Sequence, residues 1–148
     1  NTYMRLRITY EHCLFFRNTA GTNDDCVFEE RGSLVSAFLN PRQYETGAML
    51  LVPNVHRVTI LDMTADEMVD VARLSKQLAT ISVDVLGAIG ITIWQKNGRP
   101  AGQYVGHYHM HVTHRYADSD PKELFLGANF PRTDFETRMK IASRLLRE

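Results

Sequence analysis

The segment Gly106-His107-Tyr108-His109-Met110-His111-Val112-Thr113-His114 alternates histidine with apolar residues over most of its length. A period of two is what a β-strand imposes, because successive side chains point to opposite faces of a sheet. The pattern predicts a last long strand over Tyr104–Tyr116. On it His107, His109 and His111 share one face at steps of about 6.6–6.8 Å. Tyr108, Met110 and Val112 point the other way, into a core. His114 falls on the far parity unless a bulge intervenes. Each imidazole carries polar nitrogens that need partners, so three of them on one face demand an explanation.

The remaining elements fit an antiparallel design. Cys26–Arg31 and Leu34–Leu39 read as paired strands around Gly32-Ser33, and Ala48–Pro53 is a continuous apolar run suited to a buried central strand. Their short connections favour a meander over parallel units with helical crossovers. A long helix opens at Thr64, where Glu67 completes a capping box. Its stripe is Met68, Val71, Ala72, Leu78, Ala79, Val85 and Leu86, and Gly87 and Gly90 end it. Ile91–Trp94 is a further strand, followed by a turn at Asn97-Gly98. A second helix is expected from Thr133 or Asp134 to the C-terminus, with Phe135, Met139, Ala142 and Leu146 on one face. The fold class is α+β: an antiparallel sheet of about five strands, one long helix and a C-terminal helix, in a single domain over residues 1–148.

Composition narrows the function classes. Lys plus Arg and Asp plus Glu both number 17, so the net charge is zero and nothing global attracts nucleic acid or anionic lipid. No apolar stretch approaches the about 20 residues needed to cross a bilayer. The opening residues lack the apolar core of a secretory signal. Two cysteines, Cys13 and Cys26, make neither a disulfide framework nor a metal quartet. A reduced, cytoplasmic setting is the expectation.

Three readings of the histidine ladder stand at this point. It is a solvated strand face, or a metal site with a further ligand from His12, His56 or a carboxylate, or a nucleophilic site in which the middle imidazole attacks and its neighbours orient it and bind an anion.

The approach to the ladder separates them. Asn97-Gly98-Arg99-Pro100-Ala101-Gly102-Gln103-Tyr104-Val105-Gly106 leads into His107-x-His109-x-His111, with Arg115 beyond. Together these residues resemble the signature of the histidine triad (HIT) superfamily of nucleotidyl hydrolases and transferases. Phe38-Leu39-Asn40 with Gly47, Leu50-Leu51-Val52-Pro53 with His56, and Leu61 to Glu67 resemble the family's upstream segments, so the likeness spans about residues 13 to 116.

The resemblance implies a sheet with a long helix, usually in a two-fold homodimer. It also implies a nucleotide substrate, with no cofactor and no metal at the active site. It makes His109 the nucleophile that forms a nucleotidyl-histidine intermediate, places His111 on the phosphate oxygens, and sets His107 beside His109 to hold its tautomer. Gln103 donates its amide to the phosphate or leaving group, or else anchors its loop. Asn40 matches a ribose-binding position, or else forms a turn before Pro41. Phe38 and Leu39 match the base pocket, or else pack the core. Asn97 is a further candidate for substrate contact, and Arg115 is a structural arginine. Gly102 and Gly106 let the backbone approach the ligand.

Four departures from the family pattern stand out. Ala48 replaces a histidine that partners the first ladder imidazole, and His56 is placed to compensate. Phe16 replaces the second cysteine of the Cys-x-x-Cys pair found in zinc-carrying members, which argues against a structural zinc. Lys96 replaces a polar amide at the start of the loop, where it either meets a polyphosphate or is solvated. Tyr104 replaces a Ser or Thr that contacts the leaving group. The competing functions are a metal-dependent enzyme using the ladder as ligands, or a nucleotide-binding protein of weakened activity.

Overall fold

The computed structural model describes residues 23, 25–120 and 130–145. Its strands are β1 (Phe28–Arg31), β2 (Val35–Leu39), β3 (Met49–Pro53), β4 (Gly90–Gln95) and β5 (Met110–Arg115). They form one five-stranded sheet in the order β1-β2-β3-β5-β4, and every neighbouring pair is antiparallel. The apolar run expected at the centre is there: all five residues of β3 are buried.

Helix α1 (Ala65–Leu86) begins where the capping box puts it. The Thr64 hydroxyl accepts from the Glu67 amide at 3.1 Å, and the Glu67 carboxylate accepts from the Thr64 amide at 2.8 Å. Gly87 closes the helix in the left-handed region at φ 72°. Val71, Leu74 and Leu78 of α1 pack with Val35, Ala37, Leu39, Met49, Leu51, Tyr108 and Val112 in the main core. Ala72, expected on this stripe, is exposed, and Leu74 takes the buried place.

Helix α2 (Phe135–Leu145) presents a different face from the one its apolar residues suggest. Phe135 and Met139 are each 43% exposed, whereas Arg138, Ile141, Ala142 and Leu145 are buried. Arg138 sets this rotation. Its guanidinium donates to the Asp25 carboxylate at 2.8 Å, the Asp25 carbonyl at 2.6 Å and the Thr133 carbonyl at 3.0 Å. A buried charge with all these partners is tolerated, and it fixes which side of the helix faces in. Leu146, the last residue of the expected face, lies outside the described residues.

The larger correction concerns the ladder. The strand expected over Tyr104–Tyr116 is regular only from Met110 to Arg115. The pairing with β3 runs Met49↔Val112, Leu50↔His111 and Leu51↔Met110, and its extension would bring Tyr108 opposite Pro53. Proline has no N–H for the ladder, so pairing stops short of that point. Residues 103–108 are held instead by the segment that follows β3. Tyr108 N donates to the Arg57 carbonyl at 2.6 Å, and the Gln103 amide donates to the Val58 carbonyl at 2.7 Å.

Candidate active site

Because side chains alternate, the sheet carries two unlike faces. Opposite α1, the cross-strand register lines up Phe38, Leu50, His111 and Trp94 in one row. Phe38 and Leu50 are buried there with Val52, and Val105 packs against them. Leu39 belongs to the other face, inside the main core. It therefore packs the core and does not share a pocket wall with His111, whereas Phe38 stands in the histidine row.

The three imidazoles are handled separately. His107 is fully buried, and its Nε2 lies 3.0 Å from the Pro53 carbonyl. A carbonyl only accepts, so His107 Nε2 carries the proton and Nδ1 is its acceptor nitrogen. The His56 Nδ1 approaches that atom at 3.2 Å and must be the donor. The rings meet edge-on, with centroids 4.8 Å apart. His56 thus supplies His107 with a ring partner, while Ala48, where the family pattern has histidine, is fully buried and contributes only its backbone to the turn around Gln43.

His109 Nδ1 lies 2.8 Å from the His107 carbonyl, so Nδ1–H donates and Nε2 is the unprotonated nitrogen. His111 follows with its centroid 5.1 Å from that of His109 and lies flat against Trp94, at 4.4 Å and 3°. Its Nδ1 is buried and has no hydrogen-bond partner among the described residues.

All these rings are held neutral. Burial, reinforced by the neighbouring His109 and Lys96, pushes His111 down to about 3. Burial pushes His107 to about 4, against the opposing pull of the Pro53 carbonyl. It also lowers His109, with the His107 carbonyl pulling upward and Lys96 downward. A neutral imidazole whose Nδ1–H is already committed is a nucleophile at Nε2.

The rings do not converge as ligands would: His107 turns to His56, and His111 to Trp94. Among the described residues no group of three or more His, Cys, Asp or Glu side chains is placed to hold a metal. Cys13, Phe16 and His12 lie outside those residues.

The amides near the site are occupied. Gln103, buried, accepts from the Gly98 amide at 2.7 Å and donates to the Val58 and Val105 carbonyls. This is the loop-anchoring arrangement. Asn97 accepts from the Ile60 amide at 2.7 Å and donates to Gln95, tying the same loop to the 3-10 turn Ile60–Asp62. Asn40 accepts from the Arg42 amide at 2.9 Å, the turn-forming arrangement of an Asn before proline. Gly102 has φ 91°, and a Cβ there would sit 3.2 Å from the Lys96 side chain. At Gly106 the same atom would meet nothing within 4 Å. Arg115 donates to the Asp120 carbonyl. Tyr104 is 89% exposed.

Comparison with known proteins decides the family. The model of the HIT domain matches residues 21–118. The chain belongs to the histidine triad family. Among its HIT relatives, Protein hit of Bacillus subtilis is 32% identical over 111 residues, covering 74% of this chain and 75% of that protein. An adenosine 5'-monophosphoramidase of Schizosaccharomyces pombe is 27% identical over 120 residues, covering 80% and 83%. The fold is that of a HIT-like protein from Bartonella henselae, with a TM-score of 0.78 at 20% identity over 90% of this chain and 93% of that one. Nucleotide hydrolysis is therefore an activity found among its relatives. Among the described residues no helix is long and apolar enough to cross a membrane.

Two residues of the HIT site gain their place only from the fold. Trp94, the end of the strand expected over Ile91–Trp94, stacks on His111 from the neighbouring strand. The tight turn at Asn97-Gly98 and the alternation of β4 were the available signals, but only the register says which residue faces which. His56 reaches His107 through the bend after Pro53, which sets their Nδ1 atoms 3.2 Å apart.

Proposed function

We propose that this HIT protein is a nucleotide hydrolase or transferase that works through a nucleotidyl-histidine intermediate on His109. The observation that carries the proposal is the 2.8 Å hydrogen bond from His109 Nδ1–H to the His107 carbonyl, which fixes the tautomer with the ring's lone pair on Nε2. In the first half-reaction Nε2 bonds to the α-phosphorus of a nucleotide ester, anhydride or phosphoramidate. The bond to the leaving group breaks, and that group departs with the electron pair and takes up a proton. In the second half-reaction water bonds to the same phosphorus and the P–N bond breaks. The nucleoside monophosphate leaves and His109 recovers its lone pair.

His111 binds the phosphate oxygens as they gain charge, and His107, braced by His56 and Pro53, fixes the orientation of His109. Phe38 contributes to the base-binding wall. Asn40, Asn97 and Gln103 shape the binding loops, and they contact substrate only by exchanging bonds they already make. The reading includes a single domain over residues 1–148 in a cytoplasmic homodimer. Strand β4, at the sheet edge with Ile93 47% exposed, supports the dimer.

The test is release of AMP from an adenosine phosphoramidate, combined with a search for labelled nucleotide bound covalently to the protein. His109→Ala is expected to lower kcat by about a thousandfold or more, the scale of losing a nucleophile, and to abolish the labelled adduct. Unchanged turnover in that variant overturns the assignment.

A further inference from the structure

We propose that Lys96 is a specificity-determining cation that directs this site toward anhydrides, in which the leaving group is itself a phosphate, over phosphoramidates. The inference rests on the reading of His109 as nucleophile and deepens it.

The register places Lys96. Strands β4 and β5 pair Trp94 with His111 and Gln95 with Met110. Continued one step beyond its last pair, that register would set Lys96 across from His109. By alternation it shares a face with Trp94 and His111. The side chain does not extend straight into solvent. It is half-buried and lies over Gly102, where a Cβ would be 3.2 Å from its Cδ and 3.4 Å from its Nζ. Glycine at that point, with φ 91°, makes room for the Lys96 side chain against the 98–102 loop. The charge is close enough to disfavour protonation of both His109 and His111.

A cation beside a phosphorus-attacking nitrogen acts on whatever negative charge the substrate brings and develops. When a phosphoramidate is cleaved, the leaving group is an amine. When an anhydride is cleaved, the leaving group is a phosphate that gains a further negative charge as the P–O bond breaks. An ammonium stabilises that second charge directly, whereas a neutral side chain offers at most a hydrogen bond without a net charge. Lysine at position 96 therefore favours a substrate such as a dinucleoside polyphosphate.

The experiment measures kcat/KM for diadenosine triphosphate and for an adenosine phosphoramidate in the unmodified protein, Lys96→Asn, Lys96→Arg and His109→Ala, with thermal melting as the check on folding. Lys96→Asn is expected to lower kcat/KM for the triphosphate by about ten- to a hundredfold, the range of one charge-assisted contact. The phosphoramidate should lose less than about threefold, and Lys96→Arg should retain most of the triphosphate activity. An equal loss on both substrates, or no loss on either, overturns the proposal while leaving the nucleophile in place. Should Lys96→Asn fail to fold, Lys96→Arg and the salt dependence of the two kcat/KM values decide. A triphosphate rate no more salt-sensitive than the phosphoramidate rate overturns the proposal. Turnover that survives in His109→Ala refutes the underlying reading instead.

Discussion

The two faces of one sheet set the main contrast in this molecule. The face toward α1 is closed and, His114 apart, apolar: Leu51, Val112, Ala37 and Val35 are at most 1% exposed. Its side chains meet the same need, removal from water, and neighbours are interchangeable in kind. The opposite face carries Phe38, His111 and Trp94 in one row, with the His109 ring edge-on to His111. There each residue differs in kind from its neighbour, and the His107 and His109 rings are each oriented by a particular acceptor or donor. Adjacent residues of the same strands serve the two faces, so stability and chemistry are separated by one step along the chain.

The sharpest break of this contrast is His109→Ala, which should remove turnover as above yet move the melting temperature by only about 2–4 °C, the scale of a mild substitution. Leu51→Ala, on the other face, should do the reverse. A fully buried leucine in the core predicts a loss of about 2–5 kcal/mol in denaturant unfolding, with turnover per folded molecule unchanged. If both variants lost activity and stability together, the separation of faces would be wrong.

Acid sharpens the contrast through the buried rings. His107 and His114, each pushed by burial to about 4, and His111, pushed to about 3, ionise near 6.5 once unfolded. Between pH 6.5 and 4 the unfolded chain binds more protons, so stability is full above 6.5 and falls as the pH drops. The slope is at most about 1.4 kcal/mol per pH unit for each ring. Urea melts at pH 7, 6 and 5 should show a steady decline, and a flat profile would mean that the rings are not held neutral. The acid limb of kcat/KM should likewise lie below pH 6.5, because burial also lowers His109.

The smallest effect belongs to Trp94→Leu. It removes the stacked partner of His111, and an aromatic pair is worth about 0.5–1.5 kcal/mol. Turnover should fall by about three- to tenfold while KM changes little, measured at saturating and limiting substrate.

Much of this was legible in the sequence because it is local. Thr64 and Glu67 announce the start of α1 through a hydrogen-bond pattern that four residues complete alone. The run Met49–Pro53 announces a buried strand by composition. The alternation of Tyr108, Met110 and Val112 correctly assigned those side chains to the core. The two largest misreadings are non-local. A guanidinium paired with Asp25, more than a hundred residues away, decided which side of α2 is buried. Proline 53, on a different strand, ended the pairing that would have carried the ladder back to Tyr104.

The chain by itself determined that histidines and apolar side chains alternate, that a capped helix covers one side of the sheet, and which residues form the HIT motif. Only the tertiary structure decided that His107 leaves the ladder for Pro53 and His56, that Phe38 rather than Leu39 joins the histidine row, and that Trp94 and Lys96 stand beside His111 and His109. The physical reason is register. Alternation fixes which residues share a face within a strand, but hydrogen bonding between strands fixes which residues stand side by side, and catalysis depends on the second.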